Sequence, residues 1–281
     1  MQQNKRAFLG ISFILGAQLL FCTNFSLVAY LSSHFSFIQL ILFRSLLGPL
    51  LCLPFLLSGK IKLNFSRPWM LLMRASCGLL AMSCLYIGLK QSDIGPVSLM
   101  FNFSIIWTFI LAFFIFNDRP HRYSLFSLGL AFLGLSLVFY PLNLTLTKGI
   151  FFAFLGSLFA TGVILSLKSL RSTHDSLTIV LFFQFFACVV YVFPAQLSFS
   201  LLDSPFLLLL IATGIISFSA QSLLTTGYKY TTASVASALG LAQIPLMYLS
   251  GYLFFDQHIT LINMLGVSLV LFSLIIISLY R

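Results

Sequence analysis

Two arginines, Arg44 and Arg74, lie inside long apolar stretches of this 281-residue chain. A guanidinium group stays charged, and a cation at the centre of a bilayer costs roughly 2.5–3.5 kcal/mol. Arg44 lies near the middle of its stretch, with no carboxylate at the same level. Its partner is therefore either a set of helix-end carbonyls and polar side chains or the carboxylate of a ligand, held through two parallel hydrogen bonds. Arg74 lies near the start of its stretch, so we expect its side chain to reach the membrane interface and anchor the topology, the alternative being a contact with the substrate.

Amide and aromatic side chains in the other apolar stretches could complete a site around Arg44. Amides donate and accept hydrogen bonds, and an aromatic face attracts a desolvated cation with about 2 kcal/mol. For each amide the alternative is a hydrogen bond between helices, worth about 1 kcal/mol. For Tyr248 the alternative is packing or contact with lipid. The predicted substrate-binding residues are Arg44, Asn24, Gln18, Tyr86, Asn102, Trp107, Gln184, Gln221, Gln243 and Tyr248.

The sequence carries no recognisable catalytic motif, such as a nucleotide loop, GxSxG or HExxH. We therefore predict that the protein is not an enzyme and has no catalytic residues, no cofactor and no metal site. The histidines are scattered singly, and the cysteines lack CxxC spacing. The chain has no glutamate, and its aspartates lie in loops or at helix ends: Asp93, Asp118, Asp175, Asp203 and Asp256. A proton-driven exporter commonly uses a carboxylate within the membrane, so exchange or facilitated diffusion is favoured, with coupling through Asp256 or water left open.

Composition places the chain in a membrane. Hydrophobic residues make up 60% of it and charged residues 7%, whereas roughly a quarter of the residues of a soluble protein are charged. Apolar stretches near the roughly 20 residues that a bilayer requires follow one another along the whole sequence. We predict an all-α polytopic membrane protein with ten transmembrane helices, at approximately 7–29, 35–57, 68–90, 94–116, 121–141, 148–168, 176–196, 205–228, 232–254 and 259–280.

The net charge of +10 indicates topology and not nucleic-acid binding, because no basic run alternates with exposed aromatic residues. With a cytoplasmic N-terminus, eleven of the fifteen Lys and Arg residues face the cytoplasm, and only Lys90 and Lys148 face outwards. Positive residues concentrate on the cytoplasmic side of membrane proteins. Both termini are therefore predicted to be cytoplasmic, and the apolar stretch after Lys5-Arg6 is predicted to remain as the first helix.

Cysteine labelling of intact cells tests this orientation. A membrane-impermeant thiol reagent should modify the Asp203→Cys variant from outside and leave the Lys62→Cys variant unmodified, because the two positions fall on opposite sides of the predicted membrane. Labelling of the Lys62→Cys variant alone would contradict the orientation.

The second half of the sequence repeats the first at an offset of about 139 residues. Gly10-Ile11 recurs as Gly149-Ile150, and Gly88-Leu89-Lys90 recurs as Gly227-Tyr228-Lys229. Five spans per copy is an odd number, so the second repeat, 142–281, is inverted in the membrane relative to the first, 1–141. Inverted repeats are common in secondary transporters, which bind substrate near the midplane between the repeats.

The same offset pairs polar stripes on helix faces. The stripe on the fourth span and its partner on the ninth are Ser98, Asn102, Ile105, Phe109 and Ser237, Leu241, Ile244, Tyr248. The stripe on the third span and its partner on the eighth are Gly78, Met82, Tyr86 and Ser217, Gln221, Thr225. Paired stripes of this kind are expected to line a cavity between two inverted repeats. Pro245, inside the ninth span, frees a backbone carbonyl and is expected to kink that helix or line the cavity.

Ten short-looped spans, a five-plus-five inverted duplication, an early arginine in the second span, and the run from Gly227 to Ser234 leading to Pro245 resemble the drug/metabolite transporter superfamily, EamA type. The resemblance extends over essentially the whole chain. It implies alternating access around a central cavity in a bacterial inner membrane. Members usually carry a Gly-Glu pair after the fourth and ninth spans, where this chain has Asn117-Asp118 and Asp256-Gln257. Proton coupling is therefore not carried over from the family.

Within that superfamily, the compact sequence rich in Phe, Ser and Leu is similar to the S-adenosylmethionine transporters of obligate intracellular bacteria. This similarity implies exchange of S-adenosylmethionine for S-adenosylhomocysteine, with the carboxylate on Arg44 and the adenine on Trp107, Tyr86 or Tyr248.

Other functions stay open at this point. The main alternative is an exporter of amino acids, drugs or other small metabolites, with or without proton coupling. A membrane enzyme or a lipid scramblase is disfavoured, because a membrane enzyme would need a nucleophile, metal ligands or paired carboxylates at one depth. The expected partners are the bilayer and a small molecule with a carboxylate and an aromatic or apolar part. Nucleic acid is not an expected partner, and the protein is expected as a monomer or homodimer.

Overall fold

The computed structural model describes residues 2–31, 34–59, 63–92, 94–117, 122–140, 147–195, 205–254 and 260–279. These residues form helices and no strands, which confirms the all-α prediction for the described part of the chain. The helices are α1 (Gln2–Leu31), α2 (Phe37–Leu57), α3 (Pro68–Gln91), α4 (Ile94–Asn102), α5 (Ser104–Phe116), α6 (Arg122–Val138), α7 (Lys148–Leu170), α8 (Ser176–Tyr191), α9 (Leu207–Gly227), α10 (Ala233–Leu239), α11 (Gln243–Phe254) and α12 (Leu261–Leu279).

Many of these helices are long and apolar enough to cross a bilayer. Among the described residues six segments meet that requirement: Phe8–Val28, Pro68–Gly88, Val97–Phe116, Lys148–Leu170, Leu207–Gly227 and Ala233–Phe254. Four shorter apolar helices accompany them: Ile38–Pro54, Arg122–Val138, Ser176–Tyr191 and Leu261–Ile277. Large apolar side chains such as Leu57, Phe114 and Leu208 are exposed on the outside, as expected for a surface in contact with lipid. The chain is a polytopic membrane protein.

Local sequence signals set several helix boundaries. Ser36 and Gln39 form a capping box that starts α2, in which each side chain accepts a hydrogen bond from the other residue's backbone N–H,. Pro68 occupies the first turn of α3, and Thr147 caps α7 by accepting from the Ile150 N–H,. Asn117 ends α5 in the left-handed region with φ 52°, a conformation that Asn tolerates better than most residues.

Two of the long segments are broken, at matching places in the sequence. The segment 94–116 is interrupted at Phe103, between α4 and α5. The segment 233–254 tightens into a 3-10 turn at Gly240–Ala242, between α10 and α11. Pro245 has no backbone N–H to donate to Leu241, which accounts for the second break as the sequence predicted. The first break has no proline beside it and was not predicted.

The helices of the first half pack mainly against those of the second half. α3 lies along α7, α1 along α9 and α6 along α12. We call two residues counterparts when they are 139 positions apart. A Cβ added to Gly88 would lie 3.1 Å from Gly149 O, and a Cβ added to its counterpart Gly227 would lie 3.1 Å from Gly10 O. The contact of α3 with α7 is therefore repeated as the contact of α1 with α9.

Small residues also bring α6 and α12 together. Ser127 donates to Ser273 O at 2.5 Å, and a Cβ added to Gly134 would lie 2.7 Å from Gly266 O. Ser127 is the counterpart of Gly266, and Gly134 is the counterpart of Ser273. Small residues let membrane helices approach closely enough for backbone contact.

Side-chain hydrogen bonds connect the helices at both ends of the bundle. The basic end is the one where α3 begins and α9 ends, near Arg67 and Lys168. At this end Asn64 Nδ2 donates to Thr173 O at 3.2 Å, and Lys168 donates to Tyr228 O and Thr231 O. The opposite end is the one where α3 ends and α7 begins, and there Ser26 Oγ donates to Ser250 Oγ at 3.2 Å.

Candidate functional site

A cavity of about 280 Å³ lies within the bundle. It is bounded by α1, α3, α7, α8 and α9 and by the breaks in both interrupted segments. Phe101, Asn102 and Ser104 line it at the first break, and Gly240 and Gln243 line it at the second. Interrupted helices that meet at a cavity are typical of the substrate sites of secondary transporters, because the backbone at the break can face a ligand instead of lipid.

Arg74 is the charged residue among the described lining residues. Its side chain is 3% exposed. Arg74 Nη2 donates to Gln221 Oε1 at 3.0 Å, and the guanidinium carbon lies 4.3 Å from the centre of the Phe183 ring. Arg74 Nε and Nη1 have no hydrogen-bond partner in the described part of the chain. A buried cation with two unused donors is costly, and a ligand carboxylate would satisfy it.

The position of Arg74 corrects the expectation from the sequence. We expected the side chain to extend to the membrane interface, but it turns inwards and contacts α8 and α9. The reason is local, because Gly78 has no side chain: a Cβ added to Gly78 would lie 2.9 Å from Arg74 Nη1. The guanidinium thus occupies the space beside Gly78, between Phe183 and Gln221.

Four of the ten predicted substrate-binding residues line this cavity. Gln18 and Gln221 contribute amides from α1 and α9. Asn102 lines it while its Nδ2 donates to Ser98 O at 2.8 Å, and Gln243 lines it while its Nε2 donates to Met247 Sδ at 3.4 Å. The structure therefore brings Gln18, Asn102, Gln221 and Gln243 together around Arg74.

The other six predicted residues are not part of the cavity lining. Asn24 joins two helices, because its Nδ2 donates to Thr213 O at 2.7 Å. The Trp107 indole N–H is buried without a hydrogen-bond partner among the described residues, as is Gln184 Oε1. Trp107 packs edge-on against Phe154 at 6.1 Å, and Tyr248 is half-buried on α11.

Arg44 lies near the half-buried Tyr86, and neither residue lines the cavity. Arg44 is 6% exposed and lies within electrostatic reach of the Tyr86 phenol. Tyr86 follows Arg74 by twelve residues on α3, which corresponds to a rise of roughly 18 Å along the helix. Arg44 is therefore held well towards the opposite end of the bundle from Arg74.

The cavity includes four pairs of counterparts. Each pair contributes one residue from each half to the lining: Phe21 and Ala160, Met82 and Gln221, Phe101 and Gly240, and Ser104 and Gln243. Both halves of the sequence therefore contribute to the wall of the cavity, in part through equivalent positions.

Several lining residues were missed at the level of sequence. Arg74, Phe101, Phe183 and Tyr228 all line the cavity. One available signal was the stripe Gly78, Met82, Tyr86 on α3, because extending it backwards by four residues reaches Arg74. For Phe101 and Phe183 no signal distinguishes the lining rings among 33 phenylalanines.

Comparison with known proteins adds an independent view. The profile of the EamA-like transporter family matches residues 8–140 and again residues 147–279. The chain is 22% identical over 275 residues to the pseudopaline exporter CntI of Pseudomonas aeruginosa strain UCBPP-PA14, covering 96% of this chain and 95% of that protein. It is 24% identical over 290 residues to an uncharacterized transporter of Helicobacter pylori strain J99, covering 96% and 94% respectively.

A solved crystal structure supports the fold. It superimposes with a TM-score of 0.77 at 12% sequence identity and covers 99% of both chains. The two profile matches together span nearly all of the sequence, and their start points are separated by the same 139 residues as the internal repeat. The chain belongs to the EamA-like transporter family.

Proposed function

We propose that this protein is a secondary transporter that carries a small carboxylate-bearing metabolite by alternating access, with Arg74 as the contact for the carboxylate. The observation that carries the proposal is the guanidinium of Arg74, which lines the cavity and has a hydrogen-bond partner at only one of its three nitrogens among the described residues. Membership of a family of small-molecule transporters supports the general activity.

The proposed mechanism uses two inverted halves, 1–141 and 142–281, each with five spans. The repeated helix contacts and the two equivalent breaks support this arrangement. In transporters of this kind one half rocks against the other around a fixed central site. Such movement would be accommodated at the two helix breaks beside the cavity, at Phe103 and Gly240. The helical hydrogen bonding is not continuous there.

The chemistry of the lining residues limits the class of small molecule that the cavity can bind. The described lining residues include one cation and four amides and no carboxylate, so the site favours an anion with additional hydrogen-bonding groups. Sites for drug-sized ligands occupy roughly 300–1,000 Å³. A cavity of about 280 Å³ therefore favours a molecule near the size of an amino acid.

S-adenosylmethionine is a larger candidate with the same kind of carboxylate. The Phe183 face beside Arg74 is compatible with its adenine or sulfonium group, but the cavity would have to widen to hold it. The comparisons lend no support to this cargo, and one relative is an exporter of pseudopaline. Export of a small metabolite is accordingly the preferred direction, across the inner membrane of a bacterium with both termini in the cytoplasm.

Exchange without a proton gradient is the expected mode of coupling. Of the five aspartates the structure describes Asp175, which precedes α8 at its start and does not line the cavity. Asp93, Asp118, Asp203 and Asp256 lie outside the described residues.

The test begins with purified protein and a thermal-shift panel of amino acids, dicarboxylates and S-adenosylmethionine, each beside its carboxamide analogue. A ligand at 100 times its Kd stabilises the protein by about 2.7 kcal/mol. We expect carboxylates to stabilise the protein and their amides to have little effect. Proteoliposomes loaded with the best ligand should then take up the labelled ligand by counterflow with no pH gradient. Uptake that disappears when the gradient is removed would contradict exchange, and a panel without any stabilising carboxylate would contradict the proposed cargo.

A further inference from the structure

The cavity is not centred between the two ends of the bundle. Besides the four counterpart pairs, its lining extends towards the basic end, where Arg74 lies near the start of α3. Leu167 near the end of α7 and Tyr228 just after α9 line this same part. In contrast, Val28, the counterpart of Leu167, is not part of the lining. The two halves therefore have the same fold but surround the cavity differently.

If each half of the chain adopted the arrangement that the other half has now, the cavity would lie towards the opposite end of the bundle. If the halves are inverted copies, a state in which each half takes the arrangement of the other has a similar energy, because it contains the same types of contacts. The lining of that state follows from the counterparts of the present lining. Residues that would enter it are Asn24, Val28, Arg44, Leu85, Thr213 and Ser217, the counterparts of Val163, Leu167, Phe183, Leu224, Arg74 and Gly78.

Arg44 stands out in this set because it is the counterpart of Phe183. In the present arrangement Phe183 is the ring on which the Arg74 guanidinium rests. The same position in the first half carries a cation, which is 6% exposed and lies within electrostatic reach of the Tyr86 phenol. A guanidinium buried to this degree is costly unless anionic or hydrogen-bonding groups compensate it, and a substrate carboxylate would do so.

We infer that Arg44 receives the carboxylate of the substrate in the state that opens towards the opposite end, so that the two buried arginines bind it in turn. Arg74 binds the anion when the cavity lies towards the basic end. Arg44, beside Tyr86, binds it when the two halves have exchanged their arrangements and the cavity lies towards the opposite end. This inference rests on the proposed transport function and adds a second, distinct binding position to it.

Accessibility of the two counterpart positions tests the inference without knowledge of the cargo. The variants Arg44→Cys and Phe183→Cys are made in a background in which the five native cysteines are replaced by alanine, and oriented vesicles are treated with an anionic methanethiosulfonate. We expect Arg44→Cys to react at least tenfold faster from the opposite end than from the basic end, and Phe183→Cys to show the reverse. Asn24→Cys and Val163→Cys form a second counterpart pair with the same expectation, in case the loss of Arg44 prevents folding.

The outcomes separate this inference from the proposed function. Reaction of Phe183→Cys from the basic end, with Arg44→Cys and Asn24→Cys unreactive from the opposite end, would overturn the inference and leave the transporter proposal in place. No reaction at any of the four positions from either end would contradict alternating access itself.

A transport measurement tests the anion contact. Counterflow of the carboxylate that stabilises the wild-type protein most should fall at least tenfold in Arg44→Gln. Arg44→Lys should restore it only in part, since an ammonium keeps the charge but not the planar pair of donors. Counterflow at the wild-type rate in a folded Arg44→Gln variant would overturn the inference.

Discussion

Replacement of Arg74 by glutamine should weaken ligand binding strongly while leaving the protein folded. The glutamine removes the charge that faces the carboxylate, and loss of one partner from a buried charged pair costs roughly 2–5 kcal/mol, or about 30-fold to several thousand-fold in Kd. The free protein should melt at the same temperature or higher, because the variant no longer buries a guanidinium with two unused donors,. The measurement is the ligand-induced shift in melting temperature, titrated in detergent.

Two further variants separate binding from folding. Arg67→Gln removes an exposed arginine just before the same helix and should leave the ligand-induced shift unchanged. Gln221→Glu places a carboxylate 3.0 Å from Arg74 Nη2, so it should stabilise the free protein and compete with the ligand. A full ligand-induced shift in Arg74→Gln would make Arg74 a structural residue.

Replacement of Gly266 by alanine should destabilise the fold substantially. The added Cβ would lie 2.5 Å from Val138 N and 2.6 Å from Gly134 O. These are backbone atoms, which cannot turn aside as a flexible side chain can, so α6 and α12 would have to separate. Overpacking of this kind typically costs about 1–3 kcal/mol, measurable as a lower unfolding temperature in detergent.

Gly129 on α6 provides a matched control. A Cβ added there meets no heavy atom within 4 Å, so Gly129→Ala should change the free energy of unfolding by no more than about 0.5 kcal/mol. If both alanine variants unfold at the wild-type temperature, the close approach of α6 and α12 does not contribute to stability as described.

The repeat and the helical segments could be predicted from sequence because they depend on patterns that extend over many residues. Apolar stretches of membrane length determine where helices form, and an offset that recurs along the chain survives the loss of individual identities. The break near Pro245 could also be predicted, because proline lacks the backbone N–H that a helical hydrogen bond requires. The break at Phe103 has no proline beside it and no equivalent signal in the sequence.

The lining of the cavity was predicted in part, and the difference at the two arginines is informative. Gln18, Asn102, Gln221 and Gln243 were identified because polar groups in apolar helices usually face the interior. Arg44 was preferred over Arg74 on depth alone, but depth does not determine direction. The direction of Arg74 depends on the space beside Gly78 and on the Phe183 ring from α8, and such contacts between distant segments cannot be read from a single sequence.

The interleaving of the two halves has a consequence for how the protein is made. α3 packs along α7, α1 along α9 and α6 along α12, so each of these early helices has its main partner in the part of the chain that is translated later. Translation proceeds at about 5–20 residues per second. Several seconds or more therefore pass between the synthesis of α6 and that of its partner α12, the last helix in the sequence. During that interval lipid or the insertion machinery must cover the surfaces that later become the interior. Truncated chains that stop before the second half should therefore be substrates for membrane quality control and not folded half-transporters.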